Sequence, residues 1–483
     1  MQAFWTVAIL VAYTAMLVFV ALRARAAREF VAFSLARRRL ALALVFGSLS
    51  AAYVGPVFSV SFVGRGFTTG FILLAVGLAY AVQNIMVGLW VAPRLRAFGD
   101  CHTLGDVMGH AYGRTCQLLA GIISVGLCTG FSAVMAKAGG SIVKDVFGTP
   151  FWVGVLVVVT LTCLYTTFGG LRASVVTDDF QFATFAIMLP AMFLWILAFR
   201  VPGGSAGFVH QVLIATRAGW DAASPSEVVG LVLAFLLGET VIPPYANRAL
   251  ASKTTRVSRN SFLLAGVFSV IWFTVMAALG IAARGIVPFG THEDAVLITL
   301  VKATMSPPWH AMLLVVLMAI VMSSLDSLIN AGAVCLARDV AGTLVRLSDG
   351  RALYVGRVAT VLIAATAALA AILSVEKVPR IIDGLLICYN LWAPAILPAL
   401  VLGLWVKRPR PAAGILSVST GAGAAVLLEF VVPKAVVAAM EIPSILVALL
   451  IALAAYAVGH WLIPQGGPSS GLGTGRSEKG AGT

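Results

Sequence analysis

Apolar runs of about twenty residues recur from one end of this chain to the other, each long enough for a helix to cross a hydrocarbon core roughly 30 Å thick. Inside a bilayer every backbone N–H and C=O must be satisfied by protein, so such spans are helices or the strands of closed barrels. Barrel strands read as short alternating segments of about ten residues, whereas these runs are continuous. The bulk composition agrees: of 483 residues, 60% are hydrophobic and 11% charged. The expected fold class is an all-α polytopic membrane protein embedded in the lipid bilayer. Twenty-residue windows place about thirteen transmembrane helices, centred near Tyr13, Tyr53, Tyr80, Gly126, Val159, Met188, Leu236, Ile271, Ala319, Ala365, Pro394, Val426 and Ala452.

Lysine and arginine fix the expected orientation, because cytoplasmic loops retain them. Alternate loops hold Arg23 to Arg39, Arg94 to Arg114, Arg172, Arg248 to Arg259, Arg338 to Arg357, Lys407 to Arg410, and Arg476 with Lys479. Roughly two thirds of the basic residues fall on that side if the N-terminus is outside and the C-terminus cytoplasmic. The net charge of +14 is thus mainly a topology signal. No loop combines a basic cluster with interleaved aromatics, so nucleic acid is not an expected partner.

Met1 to Leu22 lacks a basic leader and is followed by Arg23, Arg25 and Arg28, the reverse of a cleavable signal peptide, and reads as a retained span. Trp5, Phe4 and Trp461 suit interfacial anchors. The six cysteines have no short spacing and read as reduced, inert thiols. Cys101, His102 and His110 are too few for a zinc site without a second ligand pair. The longest external segment, Arg200 to Glu227, reads as a turn-rich loop. Its Gly203-Gly204-Ser205-Ala206-Gly207 meets the nucleophile-elbow pattern only by chance, since an elbow requires a preceding strand. Residues 1–466 are expected to form the transmembrane domain and 467–483, rich in Gly and Ser, a disordered cytoplasmic tail.

One apolar segment, His310 to Leu336, contains Ser323, Ser324, Asp326, Ser327 and Asn330. On a helix Ser323, Asp326, Ser327 and Asn330 fall at i, i+3, i+4 and i+7, one polar stripe on a greasy cylinder. An Asp at mid-membrane costs roughly 2.5 to 3.5 kcal/mol on insertion scales, so this stripe should face protein or a water-filled cavity. Two other spans carry helix breakers near their middles: Gly55-Pro56 after Val54, and Gly238 with Pro243-Pro244. Proline removes a donor and clashes with the carbonyl four residues back, so both spans should unwind and free backbone polar groups. The two breaks are about five spans apart, which places them in matching positions of two inverted five-helix repeats, about residues 40–200 and 226–404. Paired breaks of this kind point to the midplane site of a secondary transporter. Unwound carbonyls and serine hydroxyls suit a small hard cation such as sodium. No phosphate-binding loop is present, so an ion gradient is the expected energy source, worth about 2.3 kcal/mol per monovalent cation per 100 mV.

The chain resembles the sodium/solute symporter family, with its leucine-transporter-like inverted-repeat fold. The resemblance rests on Gly169-Gly170-Leu171-Arg172-Ala173 running on to Thr177-Asp178 and Gln181, and on Met322-Ser323-Ser324-Leu325-Asp326-Ser327 with Arg338-Asp339. It extends to Pro244-Tyr245 with Arg248-Ala249-Leu250-Ala251, and to Trp405, Lys407, Arg408, Gly414 and Gly421. The resemblance implies a sodium site of backbone carbonyls from the first broken helix, at Ala51 and Val54, with the carbonyl of Ile320 and the hydroxyls of Ser323 and Ser324. It also implies an ion-coupling acid at Asp178.

Some side chains stay open at this level. Asp326 has three readings: tuning the ion, carrying a proton, or pairing with a buried cation. Glu239, at the second break, either meets a cationic ligand group or caps freed amides. Lys137 either snorkels to the interface or meets a carboxylate solute. Tyr53, Phe58 and Tyr245 beside the breaks complete the candidate solute contacts. The expected function is sodium-coupled uptake of a small organic solute across the cell membrane by alternating access, with Na+ as coupling ion and no organic cofactor. One chain is expected to suffice as a functional monomer. Alternatives are a proton-coupled transporter of the same fold, with Asp178 or Asp326 titrating, and a transporter-like sensor module, against which only a short Gly/Ser tail follows the last span. An enzyme is not expected, since no triad, paired catalytic acids or metal cluster appears. No motif selects the solute.

Overall fold

The computed structural model describes residues 28–462 except 223, 224, 379, 434, 435 and 438–441, with scattered positions of 8–19. Most of the window around Tyr13 and the whole of the 467–483 tail lie outside the described residues. Those described form helices and turns; an isolated bridge pairs Leu40 with Ser252.

The helices used below are α1 (Leu42–Tyr53), α2 (Val57–Thr69), α3 (Leu74–Ala97), α4 (Arg114–Phe147) and α5 (Phe151–Phe199). They continue with α6 (Gly204–Ala222), α7 (Pro225–Leu237), α8 (Pro243–Ala251) and α9 (Thr255–Ala283). The last are α10 (Trp309–Leu344), α11 (Asp349–Leu373), α12 (Ile381–Trp405), α13 (Pro411–Val431) and α14 (Ser444–Trp461). Among the described residues nine helices are long and apolar enough to cross a membrane, ten with the bent pair α1–α2. This is fewer than the expected windows for a local reason. The windows at Val159 and Met188 lie on either side of a kink at Gly170 within the single segment α5, the one at Leu236 is split into the short helices α7 and α8, and most of the one at Tyr13 lies outside the described residues.

Helix α10 is the axis of the bundle: 94% of its most apolar stretch is buried, against 28% for α14. It packs on α4 and α5. Peripheral helices instead present residues such as Ile122, Leu164, Ile187 and Ile271 outward, as helices facing lipid tails do. The polar stripe is therefore affordable: Ser323, Ser324, Asp326, Ser327 and Asn330 are all buried against protein.

Both expected breaks occur. Helices α1 and α2 meet at 64°. Pro56 has no N–H to return to the Ala52 carbonyl, which instead lies 3.5 Å from the Tyr245 hydroxyl. Between α7 and α8 the chain leaves helical geometry, with Val241 at φ 52, and Pro243 opens α8, where a missing N–H costs nothing. The freed Thr240 carbonyl accepts from the Trp392 indole at 3.1 Å. A third break lies inside α5, where Gly170 adopts φ 60, ψ −161. Only glycine enters that region without strain, and a Cβ there would sit 2.7 Å from the Phe33 Cα.

The expected loop at Arg200 to Glu227 is instead largely helical, as α6. Gly203 (φ 77) and Gly204 (φ 59) turn the chain only at its start. Beyond them α6 packs against α2 and α9, with Thr216 accepting from the Phe71 amide at 3.3 Å.

Basic segments expected on one side of the membrane do meet. Arg38 donates to the Phe98 carbonyl at 3.0 Å, Arg96 to that of Ser252 at 2.5 Å, and Arg338 pairs with Asp106 at 3.0 Å.

Candidate ion and solute site

Where α10 passes the break between α1 and α2, oxygens converge. Ser323 Oγ lies 3.5 Å from the Ala51 carbonyl and 3.1 Å from that of Ile320. Ser324 Oγ lies 3.3 Å from the same Ile320 carbonyl. The break admits this approach because Gly55 has no side chain: a Cβ there would stand 2.8 Å from Ser324 Oγ. The Val54 carbonyl, also at the break, accepts from Ser59 Oγ at 2.8 Å. The sequence thus brings hydroxyls of one helix against carbonyls freed in another, an uncharged oxygen set that suits a monovalent hard cation.

Beside this group Arg248 of α8 is fully buried. Its guanidinium donates to Asp178 at 2.7 Å, to Ser327 Oγ at 2.5 Å, to Ser48 Oγ at 2.7 Å and to the Pro244 carbonyl at 2.9 Å. The ion pair ties α1, α5, α8 and α10 at one level. Asp326 lies in the same cluster and accepts from Ser174 at 3.0 Å, Ser327 at 3.1 Å and Thr177 at 3.4 Å. Its burial is offset by hydroxyl donors from α5 and by the neighbouring guanidinium.

A small cavity adjoins both groups, lined by Gly55, Phe58, Phe131, Met135, Glu239, Tyr245, Ser324, Ser327 and Leu385 among others. Its volume of about 20 Å³ is room for a single water, so the centre is closed in this conformation. Glu239 accepts from the Tyr245 hydroxyl on one oxygen and the Tyr389 hydroxyl on the other. Tyr53 stands one layer behind the cavity wall, its ring 4.2 Å from that of Tyr245. Phe58 is in the wall and packs on Tyr80 at 4.7 Å. Lys137 is not brought to the cavity; its ammonium donates to the Val378 carbonyl.

Sequence reasoning missed Arg248 as a site residue because it counted as a loop charge. The available signal was its place four residues after Pro244 of the second break, in a chain that also carries an acid, Asp178, within an apolar stretch. Tyr389 and Trp392 gave no signal, being aromatics in an apolar window.

A family model described as Sodium:solute symporter family matches residues 33–421. The chain belongs to that family. It is a multi-pass membrane protein that couples uptake of a small solute to sodium. The symporter is 26% identical over 368 residues to the osmoregulated proline transporter OpuE of Bacillus subtilis, covering 72% of this chain and 73% of that one. It is 24% identical to the sodium/pantothenate symporter of Escherichia coli, covering 74% of each. Its fold matches the substrate-bound outward-open structure of a Na+-coupled sialic acid symporter with a TM-score of 0.83, at 15% identity, over 96% of this chain and 99% of that one.

Proposed function

We propose that sodium is held by the carbonyls of Ala51, Val54 and Ile320 and the hydroxyls of Ser323 and Ser324, and that it sets the angle of the α1–α2 break. The single observation carrying this is the approach of the α10 hydroxyls to a freed α1 carbonyl, with Ser323 Oγ 3.5 Å from Ala51 O. A cation there replaces hydroxyl–carbonyl contacts with ion–oxygen bonds from two helices at once, so its arrival biases how α10 sits against α1. A ligand shifts a conformational equilibrium only through such differential contacts.

Asp178 is the coupling acid in this reading, because Arg248 and an arriving cation compete for one buried carboxylate; Asp326 tunes that competition through Ser327, which both acids share. Releasing the Arg248 knot frees α8 from α1, α5 and α10 and opens the basic side. The abundance of Lys and Arg there supports a cytoplasmic assignment, with the N-terminus outside and the C-terminus inside. Solute enters from outside, into the cavity bounded by Phe58, Tyr245 and Glu239, with Tyr53 behind it. Relatives named for proline and pantothenate transport support a small organic solute. All the proposed ligands come from one chain, which supports a monomer as the working unit. Residues 1–466 form the transporter domain in this reading, its repeats at about 40–200 and 226–404 following the matched positions of the two breaks.

The test is thermal unfolding of the purified protein in sodium against potassium. Sodium should raise the midpoint in the wild type, and Ser324→Ala should shift the sodium dependence about tenfold or more, the cost of losing one oxygen to a charged group. If pH moves the midpoint and uptake while sodium moves neither, the sodium site is refuted.

A further inference from the structure

Glu239 is a carboxylate at membrane depth, 5% exposed, in the wall of the central cavity, and it has no basic partner within ion-pair distance among the described residues. Arg248, on the adjoining helix α8, is committed to Asp178, and Lys137, outside the cavity, to the Val378 carbonyl. Two tyrosine hydroxyls donate to Glu239, that of Tyr245 in the cavity wall to one oxygen and that of Tyr389 to the other. Donors to both oxygens satisfy the carboxylate's hydrogen bonding and leave its charge unbalanced. A charge kept in this setting is costly unless a counter-charge arrives. Among the described residues the amides of the break go to backbone carbonyls, Thr240 N–H to Leu237 O at 3.2 Å and Ile242 N–H to Glu239 O at 3.5 Å, while both carboxylate oxygens of Glu239 accept from tyrosines. Capping the break is therefore not what Glu239 does.

Apart from Ser324 and Ser327 the rest of the wall is apolar, with the rings of Phe58, Phe131 and Tyr245 in it and Tyr389 and Phe235 packed behind. Tyr389 packs against Phe131 at 5.8 Å and Phe235 at 5.3 Å, and Phe58 against Phe235 at 5.6 Å. Ring faces attract cations and reject anions. Resting on the symport reading above, we propose that the solute carries a cationic nitrogen, with Glu239 as its counter-ion, Tyr245, Phe58 and Phe131 forming the aromatic enclosure around it, and Tyr389 holding Glu239 from behind the wall.

The test measures thermal stabilisation of the full chain in sodium by two sets of probes. One set carries a cationic nitrogen: choline, glycine betaine, L-proline and putrescine. The other does not: the uncharged carbon isostere of choline, pantothenate and glucose. At least one member of the first set should stabilise in sodium and none of the second. Glu239→Gln should weaken that binding by about thirtyfold or more, as removing one partner of a buried charge pair does, while the shift produced by sodium alone stays at its wild-type size. That sodium-only shift also reports that the variant is folded. Tyr389→Phe should weaken binding less. Stabilisation by a neutral or anionic probe that survives Glu239→Gln overturns the proposal, as does the absence of any effect from the cationic set. Loss of the sodium-only shift in Glu239→Gln assigns the acid to the ion and overturns it as well. Failure of the symport reading looks different: the wild type then shows no sodium-only shift at all.

Discussion

Gly55 shows how one missing side chain shapes the site. Pro56 breaks the helix, and Gly55 lets the broken end come close enough that a Cβ would meet Ser324 Oγ at 2.8 Å. Gly55→Ala should leave the bundle assembled and push Ser324 off the Ile320 carbonyl. The sodium concentration for half-maximal uptake is then expected to rise about tenfold, the cost of misplacing one oxygen donor to a charge; an unchanged sodium dependence would show that Ser324 is not a ligand. The neighbouring Asp326 reads differently now that its partners are visible. Of the three readings its sequence left open, the structure supplies a nearby cation, but Arg248 contacts Asp178, and Asp326 is held by hydroxyls.

At the scale of elements, the buried pair Arg248–Asp178 joins α8 to α5, with both side chains fully buried. Ser48 and Ser327 extend the knot to α1 and α10. Removing one partner strands the other, so Asp178→Asn should cost about 3 to 5 kcal/mol. Arg248→Met combined with Asp178→Asn should recover a large part of that loss, because the pair is coupled. Thermal unfolding at fixed sodium measures both; a single variant as stable as wild type would mean that the knot does not hold these helices together. Why the knot was not legible follows from its geometry. Arg248 and Asp178 are 70 residues apart, and a charge tally cannot distinguish a buried guanidinium from a solvated one. The same holds for Tyr389, 150 residues from the Glu239 it contacts. The Gly170 break falls between the windows at Val159 and Met188, where Arg172 reads as a loop charge, and only its positive-φ geometry within one long segment was not legible. Helix α6 was missed because its opening glycines outweighed the apolar residues behind them, and only packing on α2 and α9 decides in favour of helix.

For the whole molecule, orientation and gating are the testable properties. If the basic loops are cytoplasmic, a fluorescent protein fused after Thr483 should be bright, and an alkaline phosphatase fused there should be inactive; the opposite pair of results would invert the topology. The central cavity holds about 20 Å³, so a thiol placed at Leu385 should react with a small maleimide only when the bundle opens. Its labelling rate should therefore level off as reagent concentration rises, because opening becomes limiting. A rate that stays proportional to reagent would mean the cavity is open most of the time.

The sequence by itself determined that this chain is a helical membrane protein, where its helices break, and which helix carries buried polar groups. Those properties are local: bilayer thickness sets span length, proline acts on its own turn, and a 3.6-residue period places Ser323 and Asp326 on one stripe. Tertiary structure alone decided what the stripe faces, that Arg248 neutralises Asp178, and that Glu239 has no counter-charge among the described residues. Pairing of charges and enclosure of a cavity depend on distances between segments far apart in the chain, and those exist only once the helices have packed.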